Sequence, residues 1–115
     1  MLFTNLDHVE TEEQYNEILK NNENVMISCG RMGPMCVPVY GIMEELRDEY
    51  KHVKFYDMEF DIPDARVIRN LPECQGFAGL PFTVYYKSGK VVKATSSIQN
   101  YEQITEILDE QFGKE

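Results

Sequence analysis

Segments typical of strands alternate with segments typical of helices along this chain, and that alternation limits the possible folds more than any other feature. Runs rich in branched and aromatic residues at 25–29, 53–60 and 81–86 predict strands. Apolar residues spaced three and four apart over 39–50 predict one of the helices between them. The full predicted order is β-α-β-α-β-α-β-β-α. It indicates an α/β fold in which a mixed central sheet carries helices on both faces.

Local signals mark the ends of several predicted elements. Thr11 and Asn100 are each followed three positions later by glutamine, a pattern typical of capped helix starts. The segment 87–90, which reads KSGK, predicts the tight turn of a closing hairpin. A short apolar run at 2–6 predicts an edge strand before the first helix.

The length and net charge of the chain limit the kinds of function that it can have. The 115 residues are expected to form a single domain, 1–115. The net charge of −9 argues against binding to nucleic acid, because a chain with so many more carboxylates than basic residues is not expected to have a basic stripe on its surface. The sequence shows neither a basic leader nor a run of about 18 apolar residues, so a cytoplasmic location without membrane association is expected. Three cysteines are too few for a disulfide scaffold, which favours reversible over structural disulfide chemistry.

The segment with the candidate reactive thiols is 29–36, which reads CGRMGPMC and joins the second predicted strand to the second predicted helix. Further along, 79–83 reads GLPFT and opens the strand that leads into the predicted hairpin. Together with the element order, these segments resemble the thioredoxin family over nearly the whole chain. The resemblance implies a thioredoxin-like fold with Pro81 at the position of the family's cis-proline. It also implies a site for thiol–disulfide exchange within 29–36.

This site departs from the family pattern where the chemistry would lie. When the chain is aligned on Gly33 and Pro34, the family's two cysteines correspond to Met32 and Met35, and its tryptophan corresponds to Arg31. A thioether has no ionisable proton, so neither methionine can attack a disulfide. Exchange at this site would therefore need one of the chain's own three thiols.

The titratable groups around the site also differ from the family pattern. Met26 stands where the resemblance places a buried aspartate that assists proton transfer, and Asp57 stands where the family has a lysine on the next strand. Asp57 is the candidate proton-transfer residue, provided that it faces the interior. His8 and His52 are isolated in the sequence and are expected to face solvent.

Cys36 is the best-placed thiol. Pro34 or Pro38 can occupy the first turn of the second helix, which puts Cys36 near that helix's N-terminus, where partial positive charge favours a thiolate. Cys29, at the end of the preceding strand, is its natural partner, but strand alternation can also point Cys29 away from that helix and towards Cys74. Three arrangements remain open: a Cys29–Cys36 disulfide, a Cys29–Cys74 disulfide, or no disulfide with Cys29 as a small core residue.

The leading functional hypothesis is an atypical thioredoxin-like thiol–disulfide oxidoreductase. In it Cys36 attacks protein disulfides and Cys29 resolves the mixed disulfide. Its substrate-binding residues would be Met32, Gly33, Pro34, Met35, Leu80 and Pro81. Its expected partners are protein thiols and disulfides, with a thioredoxin reductase as a candidate electron donor. It is expected to act as a monomer without a cofactor or metal.

Two other hypotheses use the same segment. One is a redox-inactive module that keeps the fold and binds peptides or proteins through the methionine-containing loop and the Pro81 segment. The other is a soft-metal site for Cu(I), built from the sulfurs of Cys29, Met32, Met35 and Cys36. Loss of both family cysteines favours the binding module, whereas the retained Gly-Pro pair and its flanking thiols favour the oxidoreductase.

Overall fold

The computed structural model describes residues 2–76 and 79–113, and its centre is a five-stranded mixed sheet. The strands are β1 (Asp7–Val9), β2 (Asn24–Gly30), β3 (Lys54–Glu59), β4 (Phe82–Lys87) and β5 (Lys90–Ser96). They lie side by side in the order β1-β3-β2-β4-β5. β1, β3 and β2 are parallel, whereas β4 runs antiparallel to β2 and β5 runs antiparallel to β4.

Three α-helices connect strands, α1 (Glu12–Asn21), α2 (Val37–Leu46) and α3 (Arg66–Arg69), and α4 (Tyr101–Phe112) follows β5. Two 3-10 helical turns, Pro63–Ala65 and Pro72–Cys74, flank α3. This order of elements is the predicted one, and the predicted α/β fold with a mixed sheet is confirmed. Of the helices within the described ranges, none is both long and apolar enough to cross a membrane.

The sheet separates two apolar layers, because successive side chains of a strand point to opposite faces. On the α2 face, α2 and α4 cover the strand residues Met26, Phe55 and Tyr85 with Val39, Tyr40, Met43, Leu46, Ile104 and Leu108. On the α1 face, α1 and α3 cover Val25, Ile27, Met58, Val84 and Tyr86 with Tyr15, Ile18 and Ile68. Each large side chain buried in this way stabilises the fold by roughly 1.5–3 kcal/mol.

The predicted helix caps and hairpin turn are confirmed. Thr11 Oγ1 accepts the amide of Gln14 at 3.0 Å at the start of α1. Asn100 and Gln103 form a reciprocal capping box at the start of α4, with two bonds of 2.8 Å. The two residues between β4 and β5 have φ values of 53° and 79°, as the tight hairpin turn requires.

The prediction of an edge strand at 2–6 is wrong, since β1 begins only at Asp7. Leu2 and Leu6 are instead buried in the apolar layer on the α2 face. The amide of Phe3 donates to Met32 Sδ at 3.3 Å, rather than to a neighbouring strand. Burial of the two leucines therefore fixes this segment against the loop before α2.

Candidate functional site

A loop at the carboxyl end of β2, residues 31–36, forms the centre of the candidate site. The carbonyl of Gly33 accepts the amide of Val37 at 3.0 Å, so the Gly-Pro turn leads directly into α2. Met32 and Met35, on either side of this turn, are 39% and 44% exposed. The turn therefore presents two thioethers to solvent at the N-terminal end of α2.

The segment before β4 packs against this loop. The Leu80–Pro81 peptide bond is cis, and Leu80 packs half-buried against both apolar layers. Gly30, the last residue of β2, lies directly beside it, because a Cβ atom at Gly30 would be 2.9 Å from Pro81 Cβ. The residues predicted to bind substrate, 32–35 with Leu80 and Pro81, thus belong to the two segments at this end of the sheet. Their role in binding stays a prediction.

Cys36 is buried under the loop. It is the residue before α2, as predicted, but it is only 3% exposed and belongs to the apolar layer on the α2 face. Its Sγ accepts the backbone N–H of Arg31 at 3.5 Å, and Tyr40 Oη donates to the carbonyl of Arg31 at 3.1 Å. The structure therefore does not place this sulfur within reach of solvent.

Cys29 lies on the opposite face of the sheet from Cys36. Strand alternation points its side chain into the α1-face layer, which also holds Cys74. Burial raises the pKa of Cys29 to about 12 and the pKa of Cys74 to about 11. All three cysteines are free thiols. The predicted Cys29–Cys36 pair is not assembled, and Cys29 lies on the same side as Cys74.

Arg31, the only charged residue of the loop, is turned towards Asp61. Its Nε and Nη2 atoms donate to the two carboxylate oxygens of Asp61 at 2.8 and 2.7 Å. The guanidinium carbon also lies 5.3 Å from the ring centroid of Phe60. This exposed ion pair contributes little to stability, but the carboxylate of Asp61 neutralises the charge of Arg31 locally.

Asp57 faces the interior, on the α2 face. Its side chain is 1% exposed, Oδ1 lies 2.5 Å from His8 Nδ1, and Oδ2 accepts a hydrogen bond from the Thr4 hydroxyl. Burial raises the pKa of this carboxyl above its ordinary 3.8, and the two hydrogen bonds partly oppose that rise. The expectation that His8 is isolated is wrong, because β1 and β3 are parallel neighbours that place His8 directly opposite Asp57.

This pair belongs to a row of polar side chains that crosses the whole sheet. The residues in register, one from each strand, are His8, Asp57, Ser28, Thr83 and Thr95. The middle three are fully buried, and the Ser28 and Thr83 hydroxyl oxygens lie 3.2 Å apart. A cavity of about 290 Å³, lined in part by Asp57 and His8, lies at the β1 end of the row. A polar row thus lies near the loop on the same face as Cys36.

The four sulfurs of the copper hypothesis do not converge on one point. Cys29 and Cys36 lie on opposite faces of the sheet, while Met32 and Met35 lie at the surface. Within residues 2–76 and 79–113, no group of three or more His, Cys, Asp or Glu side chains could hold a metal ion. The geometry therefore gives the Cu(I) hypothesis no support.

Three residues of this region were not predicted from the sequence: Gly30, Tyr40 and His8. A glycine at the end of a buried strand often marks a close backbone approach, which is a usable signal for Gly30. The hydrogen bond from Tyr40 to the loop and the pairing of His8 with Asp57 depend on loop path and strand order. Neither of these is readable from local spacing.

Neither a protein-family model nor a curated protein sequence matches this chain. Solved structures do match it. The chain is similar to a thioredoxin from Plasmodium falciparum, with a TM-score of 0.76 and 18% identity over 92% of this chain and 99% of that one. It is similar to thioredoxin f2 from Chlamydomonas reinhardtii, with a TM-score of 0.79 and 12% identity over 96% and 99% of the two chains. Thioredoxin O2 from Arabidopsis thaliana gives a TM-score of 0.75 and 11% identity over 95% and 96%.

These likenesses extend over nearly the full length of each chain, although few residues are identical. They describe the path of the backbone, which includes the five strands in their observed order and the helices on both faces. The resemblance inferred from the sequence is confirmed at the level of the fold. The chain therefore has a thioredoxin-like fold.

Proposed function

We propose that this protein is a redox-inactive thioredoxin-fold module that binds an extended segment of a partner protein. One observation carries the proposal: the loop exposes the thioethers of Met32 and Met35, whereas Cys36 behind it is buried. Only a thiolate attacks a disulfide, so the sulfurs that a partner can reach are those that cannot perform exchange. What the loop offers to a partner is apolar, adaptable surface.

The proposed docking surface, called here the methionine surface, consists of Phe3, Met32, Met35 and Val37. These side chains are 77%, 39%, 44% and 43% exposed. The hydrogen bond from the Phe3 amide to Met32 Sδ joins the N-terminal segment to the loop. Thioethers are flexible and polarisable, so they can adapt to partners of different shape. Neighbouring exposed apolar side chains are typical of sites of association.

The partner is expected to present apolar residues flanked by Lys or Arg in an extended conformation. Strand pairing of β4 begins at Phe82, so Leu80 and Pro81 lie outside it, where an extended segment could align with the backbone. The loop's only cation, Arg31, is already paired with Asp61. Since the chain carries a net charge of −9, basic flanks would be attracted to it.

Substitution of both exposed methionines by glutamate is expected to weaken this docking strongly. Peptides selected against the protein from a random displayed library serve as probes, and NMR of the labelled protein maps where they bind. We expect amide shifts within 31–37 and 79–82, at the residues other than Pro34 and Pro81. Met32→Glu with Met35→Glu should weaken binding by at least about tenfold, because charges replace apolar anchors at the centre of the contact.

Two control variants make this test specific. Val92→Glu changes a similarly exposed residue of β5 and should leave peptide affinity unchanged. Cys36→Ser should also leave it unchanged, since the proposed docking needs no thiol. Peptides that shift other regions, or that bind the double glutamate variant equally well, would show that the methionine surface is not the docking site.

A second candidate function is thiol–disulfide exchange by Cys36 on protein disulfides, with Cys29 as the resolving thiol. It is favoured by the position of Cys36 at the N-terminal end of α2, where its Sγ accepts the backbone N–H of Arg31. Asp57, on the same face, would be its proton-transfer residue. The reaction requires the loop to open and Cys29 to leave the α1-face layer, and a thioredoxin reductase would return the electrons.

Alkylation of the folded protein separates the two candidates. At pH 7 we expect iodoacetamide to label Cys36 at least about 100-fold more slowly in the folded chain than in the denatured chain, because the sulfur is shielded. Mass spectrometry of digested samples gives the rate for each cysteine. Fast labelling of Cys36, with Cys29 and Cys74 protected, would favour thiol exchange instead.

A further inference from the structure

The sulfur atoms that solvent can reach in this protein belong to methionine. Residues 2–76 and 79–113 include five methionines, of which Met26, Met43 and Met58 are 0% exposed. Met32 and Met35, in contrast, are about two-fifths exposed. The three cysteines are all buried, with exposures between 0% and 4%. Among the described residues, a reagent dissolved in water therefore meets the side chains of Met32 and Met35 first.

The protonation chemistry of the thiols points in the same direction. A thiol must lose its proton to attack a peroxide efficiently, and burial raises the pKa of Cys29 and Cys74 to about 12 and 11. A thioether needs no deprotonation, because its sulfur lone pair accepts an oxygen atom directly. Methionine oxidation at the loop is therefore open at neutral pH, while Cys29 and Cys74 stay protected.

We propose that Met32 and Met35 form a reversible methionine-oxidation site that controls docking at the methionine surface. The control rests on the docking function proposed above, but the modification does not. The oxidant is of the two-electron class, with hydrogen peroxide as the type. Each thioether gains one oxygen atom as the S–O bond forms and the peroxide O–O bond breaks. The sulfur loses two electrons and the peroxide becomes water.

The reverse step requires a methionine sulfoxide reductase with a dithiol as reductant. The sulfoxide oxygen leaves as water, the methionine sulfur regains two electrons, and the dithiol that supplies them becomes a disulfide. Oxidation changes a flexible apolar side chain into a strongly polar one. On either side of the Gly33-Pro34 turn, two such changes would remove most of the apolar character of the loop.

The two methionines are expected to differ in rate. Met32 Sδ already accepts the amide of Phe3 at 3.3 Å, which occupies one side of that sulfur. Met35 is slightly more exposed, at 44% against 39%. We therefore expect Met35 to be oxidised before Met32, and both well before Met26, Met43 and Met58.

Peptide mapping of the peroxide-treated protein tests the site itself. The folded chain is treated with hydrogen peroxide, quenched, digested and analysed by mass spectrometry over time. Met32 and Met35 should be oxidised at least about tenfold faster than the three buried methionines, which are internal controls. The denatured chain should lose this difference. Similar rates at all five methionines of the folded chain, or oxidation of its thiols first, would overturn the proposal.

Control of docking is tested with a peptide selected as described above. The oxidised protein should bind it at least tenfold more weakly, and treatment with the reductase should restore binding. The variant Met32→Leu with Met35→Leu has apolar side chains that cannot be oxidised, so peroxide should leave its peptide affinity, whatever its value, unchanged. Unchanged peptide binding after complete oxidation of Met32 and Met35 would overturn the proposal that oxidation controls docking. A chain that binds no selected peptide would overturn the docking function, while the mapping experiment would still decide the modification site.

Discussion

Replacement of Gly30 by alanine is expected to destabilise the protein by about 3 kcal/mol, the upper part of the range for overpacked cores. A Cβ atom at this position would lie 2.7 Å from Tyr40 Oη and 2.9 Å from both Cys36 Sγ and Pro81 Cβ. These contacts come from two segments, the start of α2 and the segment before β4, so no single side chain can move aside to relieve them. Urea unfolding, followed by circular dichroism, measures the loss.

Gly41→Ala is the matched control for this prediction. Gly41 lies within α2, and a Cβ atom there would meet no atom of the described residues within 4 Å apart from the adjoining backbone of its own helix. Alanine should stabilise the helix by up to about 1 kcal/mol, because it has the higher helix propensity. If Gly30→Ala were as stable as the unchanged protein, the close approach of β2, α2 and the Pro81 segment would be disproved.

Removal of the imidazole of His8 is expected to cost about 2 kcal/mol of stability at pH 7. Among the described residues, it leaves the buried carboxylate of Asp57 with the Thr4 hydroxyl as its one side-chain hydrogen-bond donor. We expect a smaller loss of stability than for a fully buried pair, because the His8 side chain is 30% exposed. In an Asp57→Asn background no charge remains, so His8→Ala should cost about 1 kcal/mol or less. A double-mutant cycle measured by chemical unfolding gives the difference.

The raised pKa of Asp57 also predicts the sign of a pH effect. The folded protein holds the Asp57 proton more tightly than the unfolded chain, whose carboxyl has its ordinary pKa of 3.8. The unchanged protein should therefore gain stability relative to Asp57→Asn as the pH falls through the raised pKa towards 3.8. If the free energies of unfolding of the two proteins changed equally over this pH range, or if the unchanged protein lost stability relative to Asp57→Asn, burial would not dominate the environment of this carboxyl.

The order of elements was predictable because its signals are local. Each strand and helix shows its own periodicity, as in the apolar run 25–29 and the helical spacing over 39–50. The edge strand failed for a physical reason. An apolar run such as 2–6 satisfies the same pattern whether it pairs with a strand or inserts two leucines into a core.

The candidate site was only partly predictable, because its geometry depends on contacts between distant segments. Strand alternation correctly allowed Cys29 to point away from α2. The burial of Cys36 depends on the packing of Gly30 and Pro81, and the second of these lies far along the chain. The pairing of His8 with Asp57 follows from β1 lying next to β3, which no local pattern reveals.

The outward direction of Met32 and Met35 has a consequence for how such a chain can diverge. Neither side chain belongs to the apolar layers, so exchanging it would change the proposed docking surface without removing core contacts. We therefore expect these two positions of the proposed docking surface to vary between descendants of this sequence while the fold is kept. Gly30 offers no such freedom, and we expect lineages to differ at the turn and agree at the strand end that supports it.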